Sequence, residues 1–349
     1  FSNFYNVKYA NVVANASLGL ELSLLSLNLD KGDEVIVTPR SYHSSVSCVI
    51  RVGLDPVFAD IERKSMNICA KSIEKNISKK TKAIICVHLY GMPCNMNKII
   101  KISKEYNLKV IEDCSQAHGS KVGEKYVGSF GDISVFSFCQ DKIISTGGEG
   151  GMIATNNKKI NERIWGLKEI GKNKKKFFKI NSLSNDFPYI HDTIGTNARL
   201  TEIQSCIGNY QLKKLKSYIL DRNKNARIFF NKLKNCEHLI IPSYNAQITH
   251  SYYRYTIILN NQKLNRSTLM KNLKKEGVAC TVGGCPTIYN EKYFVEKFDI
   301  NKKNYPNAEY LKNKTLSFIV DQTINKKDIT KVCDILLDQI HKILKKNKK

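Results

Sequence analysis

The sequence has no uninterrupted apolar segment approaching the roughly 20 residues that a membrane-crossing helix needs, which excludes a chain built to span a bilayer. It also has no close CxxC pair. Its 11 cysteines lie singly and far apart, unlike the dense disulfide framework of small secreted domains, and a reducing, cytoplasmic setting is expected. Seven dispersed histidines form no zinc or metalloprotease spacing, so no metal is assigned. Acidic groups are scarce: 31 Asp and Glu stand against 56 Lys and Arg, for a net charge of +25. Such a balance attracts anions, and a basic nucleic-acid-binding protein is the alternative from a different functional class. However, no helix-turn-helix, zinc-finger or RNA-module signature accompanies the charge. The excess is spread along the chain, with concentrations at 172–179 (KNKKKFFK) and in the C-terminal run from Lys342. Solvated surface is the ordinary reading of these runs, and attraction of an anionic small substrate is the functional one. An initiator Met is lacking, and the natural start is expected upstream of Phe1.

The 349 residues leave room for a sizeable core and more than one domain, and no repeat or low-complexity linker divides them. In the first half, short β-branched runs alternate with helical patterns. Segments 35–39 (VIVTP), 56–60 (PVFAD), 82–91 (KAIICVHLYG), 109–115 (KVIEDCS) and 134–138 (SVFSF) predict buried strands. Between them, ASLGLELSLLSLN from Ala16 carries Leu18, Leu22 and Leu25 on one helical stripe and Leu20, Leu24 and Leu27 on another. A helix apolar on so much of its surface is expected to be buried against a largely parallel sheet. In such α/β sheets the ligand site lies beyond the C-terminal ends of the strands, which predicts that Tyr42, His88, Asp113 and Lys142 share one crevice. After about residue 225 the pattern changes to long polar helices, a strand at 252–259 (YYRYTIIL) and a glycine pair, Gly283 and Gly284. These features indicate a smaller α+β domain.

Lysine is frequent everywhere except around Lys142, the only one between Tyr126 and Asn157. The strand SVFSF precedes it and TGGEGG follows, supplying backbone that can turn sharply and approach a ligand. An amine beside a dry site can lose its proton and attack a carbonyl to form a Schiff base. Asp113, at the end of a strand, suits a helix cap, a metal ligand or the partner of a pyridine nitrogen; with a Schiff-base lysine downstream, the third role gains weight. Ser17, in NAS before the Leu-rich helix, can offer its hydroxyl and neighbouring N–H groups to a phosphate, although an ordinary N-cap explains it equally well. Ser137 is a second hydroxyl near Lys142. Tyr42 is either a packing aromatic or one that stacks on a flat ligand.

Together these stretches resemble the DegT/DnrJ/EryC1/StrS family of pyridoxal-phosphate sugar aminotransferases. The matching segments are ANASLGLELSLLSLNLDKGDEVIVTP, PVFADIE, KAIICVHLYGMPCNM, VIEDCSQAHG, GSFGDISVFSFCQDKIISTGGEGGMIATN and GTNARLTEIQSCIGNYQL, in family order across roughly residues 10 to 215. The resemblance implies an α/β chain of PLP-dependent transferase fold type I, aspartate-aminotransferase-like. A mostly parallel central sheet would lie in a large domain (1–225) and an α+β fold in a small one (226–349). It further implies a cytoplasmic homodimer with shared active sites, pyridoxal 5'-phosphate (PLP) as cofactor, and transfer of an amino group from L-glutamate to the 3- or 4-keto carbon of a nucleotide-linked keto-deoxy-hexose.

By the same resemblance, Lys142 would bond the cofactor and shuttle the proton, and Asp113 would pair with the pyridinium nitrogen. Tyr42 and Ser115 would flank the ring, and Gln116 would lie near its phenolic oxygen. Ala16, Ser17 and Ser137 would hold the phosphate, joined by Asn197 from the other subunit, while Arg199 supports that loop. Lys142 argues against the dehydratase branch of the family, in which histidine replaces this lysine; a lysine-containing PLP-dependent nucleotide-sugar dehydratase is the alternative reaction. Two departures from the family pattern are Ala16, where glycine is usual, and Asp321, where many relatives place histidine.

Overall fold

Five runs of β-branched and apolar residues form the parallel strands expected of them. The computed structural model describes residues 1–180, 187–242 and 244–346; the last three residues of the C-terminal basic run lie outside these. The first half contains strands β1 (Tyr9–Val13), β2 (Glu34–Val37), β3 (Asp55–Phe58), β4 (Thr81–Val87), β5 (Lys109–Asp113), a short hairpin β6 (Lys121–Val122) and β7 (Lys125–Tyr126), then β8 (Ile133–Ser137) and β9 (Gly151–Thr155). The main sheet has the order β1-β9-β8-β5-β4-β2-β3. From β3 to β8 all pairs are parallel, whereas β9 runs antiparallel to both β8 and β1. Strands β4, β5 and β8 are buried along almost their whole length, so their sequences read as continuous apolar runs without polar alternation. β2 leads outward to β3, and β4 returns on its other side. The chain therefore reverses direction across the sheet between β2 and β4, the kind of place where a ligand crevice opens.

The helix Ala16–Ser26 packs on this sheet. Leu20, Leu22 and Leu24 are buried, while Leu25 is 45% exposed, so one of the two predicted leucine stripes is only partly covered. Its close approach to the sheet requires Gly19: a Cβ there would lie 2.8 Å from Val135 Cγ1. Gly19→Ala is therefore expected to destabilise the protein. Overpacking against a stiff β-branched neighbour costs about 1–3 kcal/mol, against about 1 kcal/mol gained in helix propensity. A lowered denaturant midpoint at unchanged slope would verify this, and a raised midpoint would show that the contact relaxes freely.

The second half adds β10 (Leu239–Ile240), β11 (Ile248–Thr249), β12 (Tyr255–Leu259), β13 (Cys280–Thr281) and β14 (Thr315–Phe318). β11 joins the hairpin β6–β7, and the others form an antiparallel sheet of order β10-β12-β14-β13. Helices Arg266–Lys275 and Lys326–Lys346 share a separate core with this sheet, giving the smaller α+β unit. The long helix Glu202–Leu233 links the two halves, and residue 225 lies inside it. Its Leu215 and Ile219 pack with Tyr5 and Phe136, whereas Ala226, Phe229 and Leu233 pack into the second core. Ile288, Tyr289 and Phe294 return to the core of the main sheet, so the two halves are fastened together beside the C-terminal strand ends. Among the described residues no helix is long and apolar enough to cross a membrane.

Candidate active site

A cavity of about 700 Å³ opens at the C-terminal ends of the parallel strands, and Ala16, Ser17, Tyr42, Asp113, Ser115, Gln116, Ser137 and Lys142 all line it. Each follows or ends an element that the sheet order brings together. Asn15 caps the helix Ala16–Ser26 by accepting a hydrogen bond from Leu18 N at 2.9 Å. Ala16 and Ser17 follow as its first residues, whose N–H groups have no intrahelical acceptor and suit an anion. This turn rests directly on β9, since a Cβ on Gly151 would fall 2.7 Å from Asn15 C and 2.9 Å from Ala16 N. Ser137, at the end of β8, is buried, and its Oγ accepts from Cys139 N at 3.3 Å. Tyr42 stands at the rim, 67% exposed, with its ring uncovered.

Asp113 ends β5 and is 4% exposed. Its Oδ2 accepts from Ser45 Oγ at 2.8 Å and its Oδ1 from Ser115 N at 3.1 Å. Among the described residues no cation pairs with it. A buried carboxylate held only by neutral donors is costly unless a positive group meets it, so the site has the donor chemistry of a cation-binding wall. Gln116 Oε1 accepts from Tyr90 N at 2.8 Å, which fixes its side chain at the cavity wall.

Lys142 lies in the loop between β8 and β9. Its Nζ is 2.9 Å from Asp141 Oδ1 and 5.1 Å from the centre of the Tyr253 ring, and Tyr253 donates its hydroxyl to the other oxygen of Asp141. Burial alone would drive the amine to lose its proton, as the sequence suggests. In the structure, Tyr253 and Asp141 outweigh burial, and the lysine pKa is raised above its ordinary value. Desolvation of this amine is thus opposed by its two neighbours. Nearby, burial, reinforced by the Lys142 charge, pushes the His118 imidazole down to about 3.

Of the residues expected to share the crevice, His88 lies elsewhere. His88 is completely buried below the cavity: Nε2 is 3.1 Å from Glu112 Oε2, and Nδ1 accepts from Cys94 N at 3.0 Å. It joins Glu112 and Cys114 in a cluster whose potential ligand atoms lie within 4.8 Å of one another. The Glu112 carboxylate is already occupied by the N–H groups of Gly128, Phe130 and Gly131. His88 thus braces the interior instead of sharing the crevice with Tyr42. Asn197 is exposed and outside the cavity of its own chain, in a bridge with Glu169, although the adjacent Ala198 O accepts from Ala14 N at 2.8 Å, beside the phosphate-type turn. Arg199 Nη1 is 3.0 Å from Glu169 Oε2, which fastens the same loop. Asp321 caps a turn by accepting from Thr323 N at 2.9 Å.

Asp141, Glu149, Tyr253 and Arg254 also line the cavity, and none was singled out from the sequence. The strand read at 252–259 begins only at Tyr255, which leaves Tyr253 and Arg254 in the segment that enters the site. A charged residue among the tyrosines of YYRY was the available signal.

The model of the DegT/DnrJ/EryC1/StrS aminotransferase family matches residues 1–337. A GDP-perosamine synthase from Escherichia coli O157:H7 is 36% identical over 330 residues, covering 92% of this chain and 86% of that protein. An aminotransferase from Psychrobacter cryohalolentis superposes with a TM-score of 0.93 at 34% identity, over 98% of this chain and 90% of that one. A GDP-4-keto-6-deoxy-D-mannose-3-dehydratase from E. coli, solved with bound hydrated PLP, superposes with a TM-score of 0.88 at 28% identity, over 96% and 89% of the two chains.

Proposed function

Because the chain belongs to the DegT/DnrJ/EryC1/StrS aminotransferase family, we propose that it is a PLP-dependent enzyme that transfers an amino group from L-glutamate to the keto carbon of a nucleotide-linked keto-deoxy-hexose, in amino-sugar biosynthesis. The observation that carries this reading is the placement of the Lys142 amine and the uncompensated, buried Asp113 carboxylate on the wall of one cavity. The residues present fit the cofactor: an amine for its aldehyde, a carboxylate for its ring nitrogen, and a helix start with two serines for its phosphate. When bound, PLP supplies an aldehyde to the amine and a pyridinium ring that accepts the electron pair released at the substrate carbon.

In this reading Asp113, oriented by Ser45 and Ser115, keeps a proton on the ring nitrogen. Tyr42 and Ser115 would help confine the ring, and Gln116, fixed by Tyr90, would offer it a polar contact. Ser17, Ser137 and the first N–H groups of the helix from Ala16 bind the phosphate dianion. Lys142 would hold the cofactor through Nζ, and the same nitrogen, when free, would move the proton at the reacting carbon. Incubation with L-glutamate and candidate nucleotide-linked keto sugars tests the reaction. Transamination must yield 2-oxoglutarate and a sugar that retains the nitrogen. Loss of a sugar hydroxyl without nitrogen retention would instead establish the dehydratase alternative.

The same reading makes the enzyme a cytoplasmic homodimer. The helix Glu202–Leu233 buries no side chain before Leu215, yet Ile203, Ile207 and Tyr210 occupy one face and are 76%, 37% and 58% exposed. Phe187, Tyr189 and Ile194 add further exposed apolar surface. A second copy covering this surface would bring Asn197 to the phosphate of its neighbour.

The basic strip follows the helix Lys158–Lys168. Lys176 Nζ is 2.7 Å from Asp192 Oδ1, and Lys172, Lys174 and Lys175 line a recess of about 800 Å³ separate from the Lys142 cavity. Replacing Lys172, Lys174, Lys175, Lys176 and Lys179 by glutamine is expected to raise KM for the nucleotide sugar about 3- to 10-fold at low salt, with kcat and the cofactor spectrum unchanged. An unchanged KM would reduce the strip to solvated surface.

A further inference from the structure

Adjacent side chains on an extended backbone point to opposite sides, yet Asp141 and Lys142 converge. A turn in which Lys142 N donates to Cys139 O at 3.0 Å bends the chain between them, leaving Nζ 2.9 Å from Asp141 Oδ1. Asp141 does not rely on the lysine for its position. Its second oxygen accepts the hydroxyl of Tyr253, which arrives from the segment before β12. Because the Tyr253 ring also stands 5.1 Å from Nζ, the ammonium is held by a carboxylate on one side and an aromatic face on the other.

We propose that Asp141, anchored by Tyr253, is a positioning residue that holds Lys142 in its protonated form whenever the amine is not covalently engaged, and so controls how readily that amine becomes available to bond the cofactor. This rests on reading Lys142 as the cofactor-bearing lysine. Among the described residues no other group around the lysine supplies the same hold, and the two nearest cations oppose it. In the loop after β5, His118 packs against Phe136 and Phe138 as a buried ring held neutral chiefly by burial, with the Lys142 charge adding to it. Arg254 stands beside Tyr253, and Arg222 approaches from the helix Glu202–Leu233. Of the other acidic groups on the cavity wall, Glu149 is met by Cys139 Sγ, and Asp113 is met by Ser45 and Ser115. Among the described residues, Asp141 is the carboxylate in contact with Lys142. Burial opposes ionisation of both partners. Even so, Tyr253 and then the hydrogen bond between the two partners leave the lysine pKa raised and the Asp141 carboxyl below its usual range. The sign follows directly. Asp141 favours the ammonium, so removing it makes the neutral amine available at lower pH.

Competitive acetylation of the cofactor-free full chain with acetic anhydride, with the Lys142 peptide quantified by mass spectrometry across pH, reads this without any turnover. Asp141→Asn is expected to move the Lys142 profile to lower pH, with labelling near pH ~8 rising about 3- to 10-fold, as expected when an opposite charge at contact distance is lost. The profile of the exposed Lys98 should not change. Tyr253→Phe should move the Lys142 profile in the same direction by less, and Asp141→Glu should restore part of it. If Asp141→Asn superimposes on the unsubstituted chain, the proposal is overturned. Should that variant fail to fold by circular dichroism, superposition of the Tyr253→Phe profile overturns it equally. Reductive trapping of added PLP on the unsubstituted chain separates the two readings. An adduct on Lys142 with unshifted profiles defeats the role of Asp141 alone, whereas an adduct elsewhere defeats the cofactor assignment.

Discussion

Lys142→Ala is expected to lower transamination by more than ~10⁴-fold, because in the proposed reading one nitrogen would perform two tasks: it would carry the cofactor, and it would move the proton at the reacting carbon. Removing a positioned acid–base group alone typically costs ~10²–10⁴-fold, and loss of the covalent hold adds to this. The fold should survive. Lys142 lies in a loop, and its visible partners are Asp141 and the Tyr253 ring; truncation removes a partly exposed ion pair and no core packing. PLP is still expected to bind, through its phosphate and ring contacts, but without the absorbance band of a lysine-bound cofactor. Half-reactions with glutamate, followed by single-turnover absorbance, would quantify the loss. Retention of more than a few per cent of the rate would assign the proton transfer to another group.

Asp113→Asn is expected to lower the rate by about 10²–10³-fold, the usual cost of losing one preorganised electrostatic partner, while leaving the cofactor trapped on Lys142. Asn matches the volume of Asp but cannot hold a proton on the ring nitrogen, and it presents N–H hydrogens where the structure requires an acceptor. Ser45 Oγ and Ser115 N both donate to the native carboxylate; with the amide oxygen toward Ser115 N, Ser45 Oγ must turn to accept and donate instead to Ser41 Oγ, so at most a modest fall in thermal stability should accompany the kinetic loss. A rate within about threefold of the unsubstituted enzyme would mean that this buried charge serves the fold and not the reaction.

These two residues could be paired from the sequence because both sit at C-terminal strand ends of a parallel sheet, where topology alone forces convergence. The same rule brought together Ser17, Tyr42, Ser115, Gln116 and Ser137. It failed for His88: a position just past β4 says where the backbone goes, whereas the ring orientation is decided by the buried Glu112, 24 residues away. The antiparallel strands β1 and β9 were not read, since YANVV and GMIAT are short, mixed segments whose pairing depends on each other. Tyr253 and Arg254 were harder to read as site residues for a different reason. They reach the cavity through the docking of the second half, in which Tyr253 N donates to Tyr90 O at 2.9 Å, and the arginine among the tyrosines of YYRY is a faint local sign of a contact made far along the chain. Asp141 was hidden by its neighbour: adjacency to Lys142 in sequence does not imply contact until the turn at Cys139 is known.

The most direct test is borohydride reduction of the PLP-loaded protein followed by proteolysis and peptide mapping. The cofactor is predicted to be found as a stable secondary amine on the peptide containing Lys142, at close to one per chain. Recovery of the label on a different lysine, or of a fully loaded protein with no covalent label after reduction, would contradict the assignment of this cavity as the catalytic centre.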